Sequence, residues 1–139
     1  MKVTTKTKYA LLSLSEFDRE EKIISIRQLS EKYSISKKYL ERIFCDLESC
    51  GIVEGKRGPK GGYKLSKPPS QITLKDIIES LEKEVKVMDC EGIRLQCPFN
   101  KNCRIIPFWK TLNKLIEDYL GSVTLEQILR KEVVDGSKS

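Results

Sequence analysis

Apolar and polar positions alternate at helical spacing from the start of the chain. Tyr9, Ala10, Leu12, Leu14 and Phe17 predict one amphipathic helix from residue 4 or 5 to 17, ended by a charged turn at 18–22. Ser25 with Gln28 three positions on is a capping-box pattern, and Ile24 and Leu29 are placed as its hydrophobic staple. A short helix therefore starts there and runs to about Tyr33. Residues 34–36 make a turn around Ile35, and Ser36 caps a second helix that closes at Gly51, where a left-handed residue ends a helix well. Leu40, Ile43, Phe44 and Leu47 form one stripe of that helix, which turns Lys38, Glu41, Arg42 and Cys45 to its open side. Two short helices joined by a tight turn over a buried Ile35 are the pattern of a helix-turn-helix.

Beyond Gly51, residues 52–54 and 63–65 are short strand candidates around the glycine-rich loop 55–62, and together they predict a wing. Pro68 and Pro69 close this unit. Thr73 caps the next helix, with Asp76 in its first turn and Ile72 stapled to Ile77, and the helix runs to about Leu81. Residues 88–104 show neither period and hold three cysteines, which reads as a loop with its own ligand. Ile105, Phe108, Trp109, Leu112, Leu115, Ile116, Tyr119 and Leu120 then give the strongest helical pattern in the chain, ending at Gly121, with Pro107 tolerated in the first turn. Its apolar stripe is too wide for one small domain to cover. Thr124 with Gln127 caps a last short helix carrying Leu125, Ile128 and Leu129. The expected division is a DNA-binding region at 1–70, a connecting helix at 71–87, a cysteine loop at 88–104, dimerisation and C-terminal helices at 105–131, and a flexible tail at 132–139.

Composition narrows the function. A chain of 139 residues, 39% hydrophobic and 33% charged, suits one soluble globular domain, and it has no apolar run long enough for a membrane span or a signal peptide. A cytoplasmic protein with no membrane partner is expected. There is no His, so the commonest general base and every imidazole metal ligand are missing, and no catalytic constellation replaces them. An enzyme is not expected. Residues 1–70 hold 15 Lys and Arg against 9 Asp and Glu, so the whole net charge of +6 lies in the first half. Such asymmetry points to a polyanion partner at the helix-turn-helix.

Lys37, Lys38 and Arg42 can meet phosphates or guanine edges, whereas Glu41 aims a carboxylate at a polyanion and costs affinity unless it accepts from cytosine N4, so it is either a specificity element or an ordinary solvated helix residue. In the wing, Lys56, Arg57 and Lys60 sit among glycines, Gly58 included, so that bare backbone can approach phosphates while Arg57 enters a narrow minor groove. The loop lacks the Gly-Lys-Ser/Thr ending of a nucleotide-binding P-loop. Cys90, Cys97 and Cys103 are spaced more widely than the paired cysteines of structural zinc sites, and a thiolate triad in a loop suits an iron–sulfur cluster, with zinc as the alternative. Cys45 and Cys50 read as packing or incidental thiols.

Ser36, Tyr39, Leu40 and Glu41, the wing run from Arg57 through Gly58, Pro59, Lys60, Gly61 and Gly62 to Tyr63, the set Ile72, Thr73, Asp76, Ile77 and Ile78, and the cysteine triad followed by Trp109 together resemble the Rrf family of bacterial winged-helix transcription regulators, in its IscR-like branch. The resemblance extends to about Lys131. It implies a mainly α winged helix-turn-helix with a small two-stranded wing and a long C-terminal dimerisation helix. It implies a cytoplasmic homodimer, joined through Phe108, Trp109, Leu112, Leu115, Ile116 and Tyr119, that reads a palindromic operator in double-stranded DNA. The expected DNA-contacting residues are Lys6, Tyr9, Gln28, Ser36, Lys37, Lys38, Tyr39, Glu41, Arg42, Lys56, Arg57, Gly58 and Lys60. The resemblance further implies that Glu41 distinguishes operator classes, that Arg57 serves the minor groove, and that Cys90, Cys97 and Cys103 bind a cluster, read as 2Fe-2S, whose presence changes operator choice.

Two positions depart from that pattern. Ile106 stands where IscR-like members carry a His ligand, and Lys8 stands where other members lend an Asp from the partner subunit. The fourth ligand must then be an oxygen, another thiolate or a nonprotein molecule, and an exchangeable oxygen from a carboxylate or solvent is expected. The expected function is transcriptional regulation that senses iron–sulfur or redox status. Set against it are a zinc-bound or apo repressor of the same fold answering to a metabolite or protein partner, a nitric oxide sensor, and a nonregulatory iron–sulfur carrier for which a basic wing has no use.

Overall fold

The computed structural model describes residues 4–19, 21–83 and 104–131. Helix α1 (Thr5–Leu14) is followed by α2 (Ile26–Tyr33) and α3 (Lys37–Ser49), then by strands β1 (Val53–Lys56) and β2 (Gly62–Leu65), a 3-10 turn (Pro69–Gln71), and helices α4 (Leu74–Glu82), α5 (Ile106–Ser122) and α6 (Leu125–Leu129). The architecture is a mainly helical winged helix-turn-helix.

The caps fall where the sequence places them, because each satisfies backbone N–H groups that a helix start leaves open. Ser25 with Gln28, Thr73 with Asp76 and Thr124 with Gln127 each form a complete reciprocal capping box, and Ser36 Oγ accepts from the Tyr39 N–H. Helix α1 is shorter than predicted. Its last backbone bonds tighten, Glu16 N–H to Ser13 O and Phe17 N–H to Leu14 O, so Phe17 enters the core from a turn and not from the helix.

One core joins the elements of the first half to α4 and α6. Ala10, Leu14, Phe17, Leu29, Leu40, Ile43, Phe44, Leu47, Ile52, Leu65, Ile77 and Leu125 are all buried in it. At α1, the hydroxyls of Thr4 and Thr7 both donate to the Glu82 carboxylate at the end of α4. Helix α6 returns to the start of α4 through two backbone bonds, Leu125 N–H to Ile72 O at 2.7 Å and Leu74 N–H to Val123 O at 2.9 Å.

The wing is longer than its predicted strands. β1 and β2 pair antiparallel from Val53 opposite Leu65 to Lys56 opposite Gly62, so Gly55, Lys56 and Gly62, predicted as loop, belong to the ladder, while Ile52, predicted as strand, precedes β1. Ile24 adds a third edge that periodicity could not reveal: it exchanges two backbone bonds with Tyr63, at 2.9 and 2.8 Å.

Helix α5 carries two apolar stripes where the sequence pattern shows one wide one. Ile116 and Leu120 turn inward onto Leu74 and Ile78 of α4, and Lys75 Nζ pairs with Glu117 at 2.8 Å. Phe108 and Leu115 remain 60% and 61% exposed, with Tyr119 at 39%.

Candidate nucleic-acid interface

Burial of Leu40, Ile43, Phe44 and Leu47 fixes the roll of α3 and leaves Ser36, Lys37, Lys38, Tyr39, Glu41, Arg42 and Cys45 exposed along the opposite side. At its start, Ser36 Oγ accepts one N–H and keeps its own O–H to donate, beside the positive end of a helix of 13 residues. Tyr39 is held edge-on against Tyr9 of α1, ring centroids 5.8 Å apart, so its hydroxyl is presented by a braced ring.

The ion pairs sort the cations. Lys6 is tied to Asp46 at 2.6 Å, Lys64 lies between Glu54 and Glu21, and Lys56 lies 3.6 Å from Glu54. Among the described residues Lys37, Lys38, Arg42, Arg57 and Lys60 enter no ion pair and are exposed. Free cations at the start of α3 and at the wing tip are the groups able to displace counterions from phosphates. Glu41 is likewise exposed and unpaired, one carboxylate amid this positive field. Gln28 is exposed, with its side-chain oxygen committed to the Ser25 N–H, which leaves its amide N–H groups to donate elsewhere.

Glycine makes the wing tip possible. Gly58 has φ of 115° and accepts from the Gly61 N–H at 2.9 Å, and a Cβ on Gly61 would lie 2.3 Å from the Lys56 carbonyl oxygen. The tip is thereby narrowed to residues 57–61, with Arg57 at its entry. Tyr63 packs on Phe44 with centroids 5.0 Å apart, and burial, reinforced by the charges of Glu48, Cys45 and Glu41, raises its phenol above the ordinary tyrosine value. It is a neutral hydroxyl at the base of the wing. The sequence pattern did not single out Glu48, whose Oε2 accepts from the Gly55 N–H at 2.9 Å and joins α3 to β1; no spacing motif announces a contact of that kind.

Cys90, Cys97 and Cys103 lie outside the described residues, as does the tail at 132–139. Among the described residues no group of three or more His, Cys, Asp or Glu could hold a metal ion. Cys45 and Cys50, read from sequence as packing or incidental thiols, do not pack: both are free and exposed, because the inward stripe of α3 is already filled by larger side chains. Ile106 is the first residue of α5, and Lys8 is exposed on α1. No helix among the described residues is long and apolar enough to cross a membrane.

The chain is similar to known proteins along nearly its whole length. A protein of Neisseria meningitidis named for an HTH-type transcriptional regulator is 36% identical, covering 99% of this chain and 95% of its own length. The HTH-type transcriptional regulator IscR of Pectobacterium carotovorum is 32% identical over 97% of this chain and 84% of its own. Among solved structures, CymR, the global cysteine regulator of B. subtilis, superposes with a TM-score of 0.74 at 27% identity over 96% and 99% of the two chains, and T. potens IscR with 0.71 at 29% over 100% and 92%. The Rrf2 family, described as iron-dependent transcriptional regulators, matches residues 3–131. Free cations on a helix-turn-helix, a glycine-built wing and this match across nearly the full chain have one consistent explanation: the chain belongs to the Rrf2 family of non-enzymatic, DNA-binding transcription regulators, with IscR-like and CymR-like relatives.

Proposed function

We propose that the protein is a cytoplasmic homodimeric regulator that reads a palindromic operator and senses iron–sulfur status through a cluster held by Cys90, Cys97 and Cys103. The observation that carries the DNA half is the set of exposed, unpaired cations on α3 and the wing tip. In this reading α3 lies in the major groove with Lys37, Lys38 and Arg42 on phosphates or guanine edges and Glu41 accepting from cytosine. Arg57 enters the minor groove, and Lys56, Gly58 and Lys60 meet the flanking phosphates. Ser36, Tyr39 and Gln28 donate to the backbone. Lys6 and Tyr9 serve from behind, Lys6 holding Asp46 and Tyr9 bracing Tyr39.

The donor set supports the cluster half. Three cysteines lie in one short stretch of a chain with no His, and thiolates are the chief protein ligands of iron–sulfur clusters. A bound cluster supplies a redox-active, ligand-exchangeable centre; Cys90, Cys97 and Cys103 would hold it, with an oxygen ligand completing the set. The stretch joins α4 to α5, so its state can bias how two DNA-reading units are spaced.

Two measurements test the proposal. On a duplex selected from a random-sequence library, affinity should fall with salt at a log–log slope of about −0.9 per phosphate neutralised, and Arg57→Ala should weaken binding and make the slope shallower. A salt-independent interaction, or an unchanged Arg57→Ala protein, would overturn the DNA half. Anaerobically purified protein should be coloured and contain iron and sulfide, and Cys97→Ser should lose both. If Cys45→Ser or Cys50→Ser abolishes the cluster as completely, the fourth ligand is a thiolate and not an oxygen. A colourless wild-type protein with stoichiometric zinc would replace the cluster by the zinc reading.

A further inference from the structure

The wing can contribute to recognition only if its tip is held at a fixed distance from α3, since the grooves of duplex DNA are offset by a fixed amount. What holds it is unevenly distributed. In the ladder Gly55 faces Tyr63, and both the N–H and the C=O of Tyr63 are taken by Ile24 on the far side. Alternation in an antiparallel pair then turns the Gly55 N–H away from β2, toward the open edge of a two-stranded sheet. Among the described residues that edge has no further strand. Its N–H is taken by Glu48 Oε2, from the last full turn of α3, at 2.9 Å. Gly55 allows the approach: a Cβ there would lie 3.2 Å from the same carboxylate oxygen and 3.8 Å from the Tyr63 ring.

At the end away from the tip the wing is anchored in the core, where the Ile52 N–H bonds the Leu47 carbonyl of α3 at 3.0 Å and Val53 and Leu65 are buried; nearer the tip two further contacts join it to α3. One is the apolar Phe44–Tyr63 pair under β2; the other is the Glu48–Gly55 bond under β1, two residues before Arg57. An aromatic pair permits rolling about the strand axis, whereas a charge-assisted bond on the opposite strand stops it. Glu48 is also exposed and negative on the side of the molecule that faces a polyanion, where a carboxylate without a task would weaken binding.

We propose that Glu48 is a positioning residue for the wing: by holding the Gly55 N–H it sets the distance from the recognition helix to Arg57, so that one subunit can occupy a major groove and the adjoining minor groove together. This rests on reading the wing as a minor-groove contact, and the test separates the two. On the library-selected duplex, Glu48→Ala should weaken binding roughly tenfold when Arg57 is present. In an Arg57→Ala background the same change should have little effect, because the residue it positions is gone. Glu48→Gln, which keeps an oxygen acceptor, should retain most of the affinity, and Gly55→Ala, which crowds the carboxylate, should behave like a weaker Glu48→Ala. Hydroxyl-radical footprints of Glu48→Ala should lose minor-groove protection, while protection of guanine N7 in the major groove from dimethyl sulfate persists.

Equal losses in both backgrounds would overturn the inference and assign Glu48 to general stability. Tighter binding by both Glu48→Ala and Glu48→Gln would overturn it in favour of simple charge repulsion. An Arg57→Ala protein that binds as well as wild type would remove the minor-groove reading itself, and the inference with it.

Discussion

Single residues here do different work from what their type alone implies. Glu16 is a half-buried carboxylate that accepts from Lys32 and from the Tyr33 hydroxyl, the latter at 2.8 Å, and the Lys32 bond ahead of the other causes holds its pKa below the ordinary carboxylate value. A depressed folded pKa gives stability that is present above the unfolded value and is lost as pH falls through the folded one. Glu16→Gln should therefore lower stability at neutral pH and reduce its fall in acid; urea denaturation at neutral and acid pH measures both, and parallel wild-type and variant profiles would contradict it. Gly62 makes the complementary case for a backbone. Its φ is 157°, and a Cβ would lie 2.4 Å from the Ile24 carbonyl oxygen, where Ile24 bonds β2. Gly62→Ala should cost about 2–3 kcal/mol in denaturant unfolding. Gly58→Ala, with open space around it, should cost less, since only its φ is at stake.

At the scale of elements, the proposed reading has α3 separate affinity from selectivity. Lys37, Lys38 and Arg42 attract any duplex, whereas Glu41 repels all of them and recovers the loss only where a donor faces it. Glu41→Ala should relax base preference at one position per half-site and leave nonspecific binding equal or tighter. Comparing variant and wild type on single-base operator variants decides the matter; a uniform loss with unchanged preference would show that Glu41 supports the helix and not the reading. The capping boxes at Ser25, Thr73 and Thr124 explain why α2, α4 and α6 start where they do despite lengths of 8, 9 and 5 residues. Helices so short draw little from propagation and depend on caps and packing.

At the scale of the molecule, α5 argues for a second copy. Phe108, Leu112, Leu115 and Tyr119 recur at spacings of 4, 3 and 4, the period of a paired helix, on a side distinct from Ile116 and Leu120, which α4 already covers. Ile116, partly buried against α4, and Trp109, half-buried beside Phe108, lie next to this outer set. Leu115→Glu should shift the protein toward monomer in sedimentation velocity and weaken operator binding more than binding to a single half-site. Wild-type protein sedimenting as a monomer at micromolar concentration would overturn the pairing.

Local chemistry made much of this protein legible in one dimension. Ser25 with Gln28, Ser36, Thr73 and Thr124 announce helix starts because a cap acts within three residues, and the stripe of α3 announces its exposed side because a helix has one period. The same locality made the free cations of α3 and the wing visible as candidates before any fold was known. Tertiary structure decided what depends on residues distant in sequence. Only folding tells that Lys6 is tied to Asp46 while Lys37 and Arg57 are free, that Ile24 supplies a third edge to the wing, and that one broad apolar stripe of α5 divides into an inner and an outer face. Glu48 belongs with these. Its partner is a backbone N–H seven residues on and across a turn, and a backbone donor carries no letter of its own in a sequence.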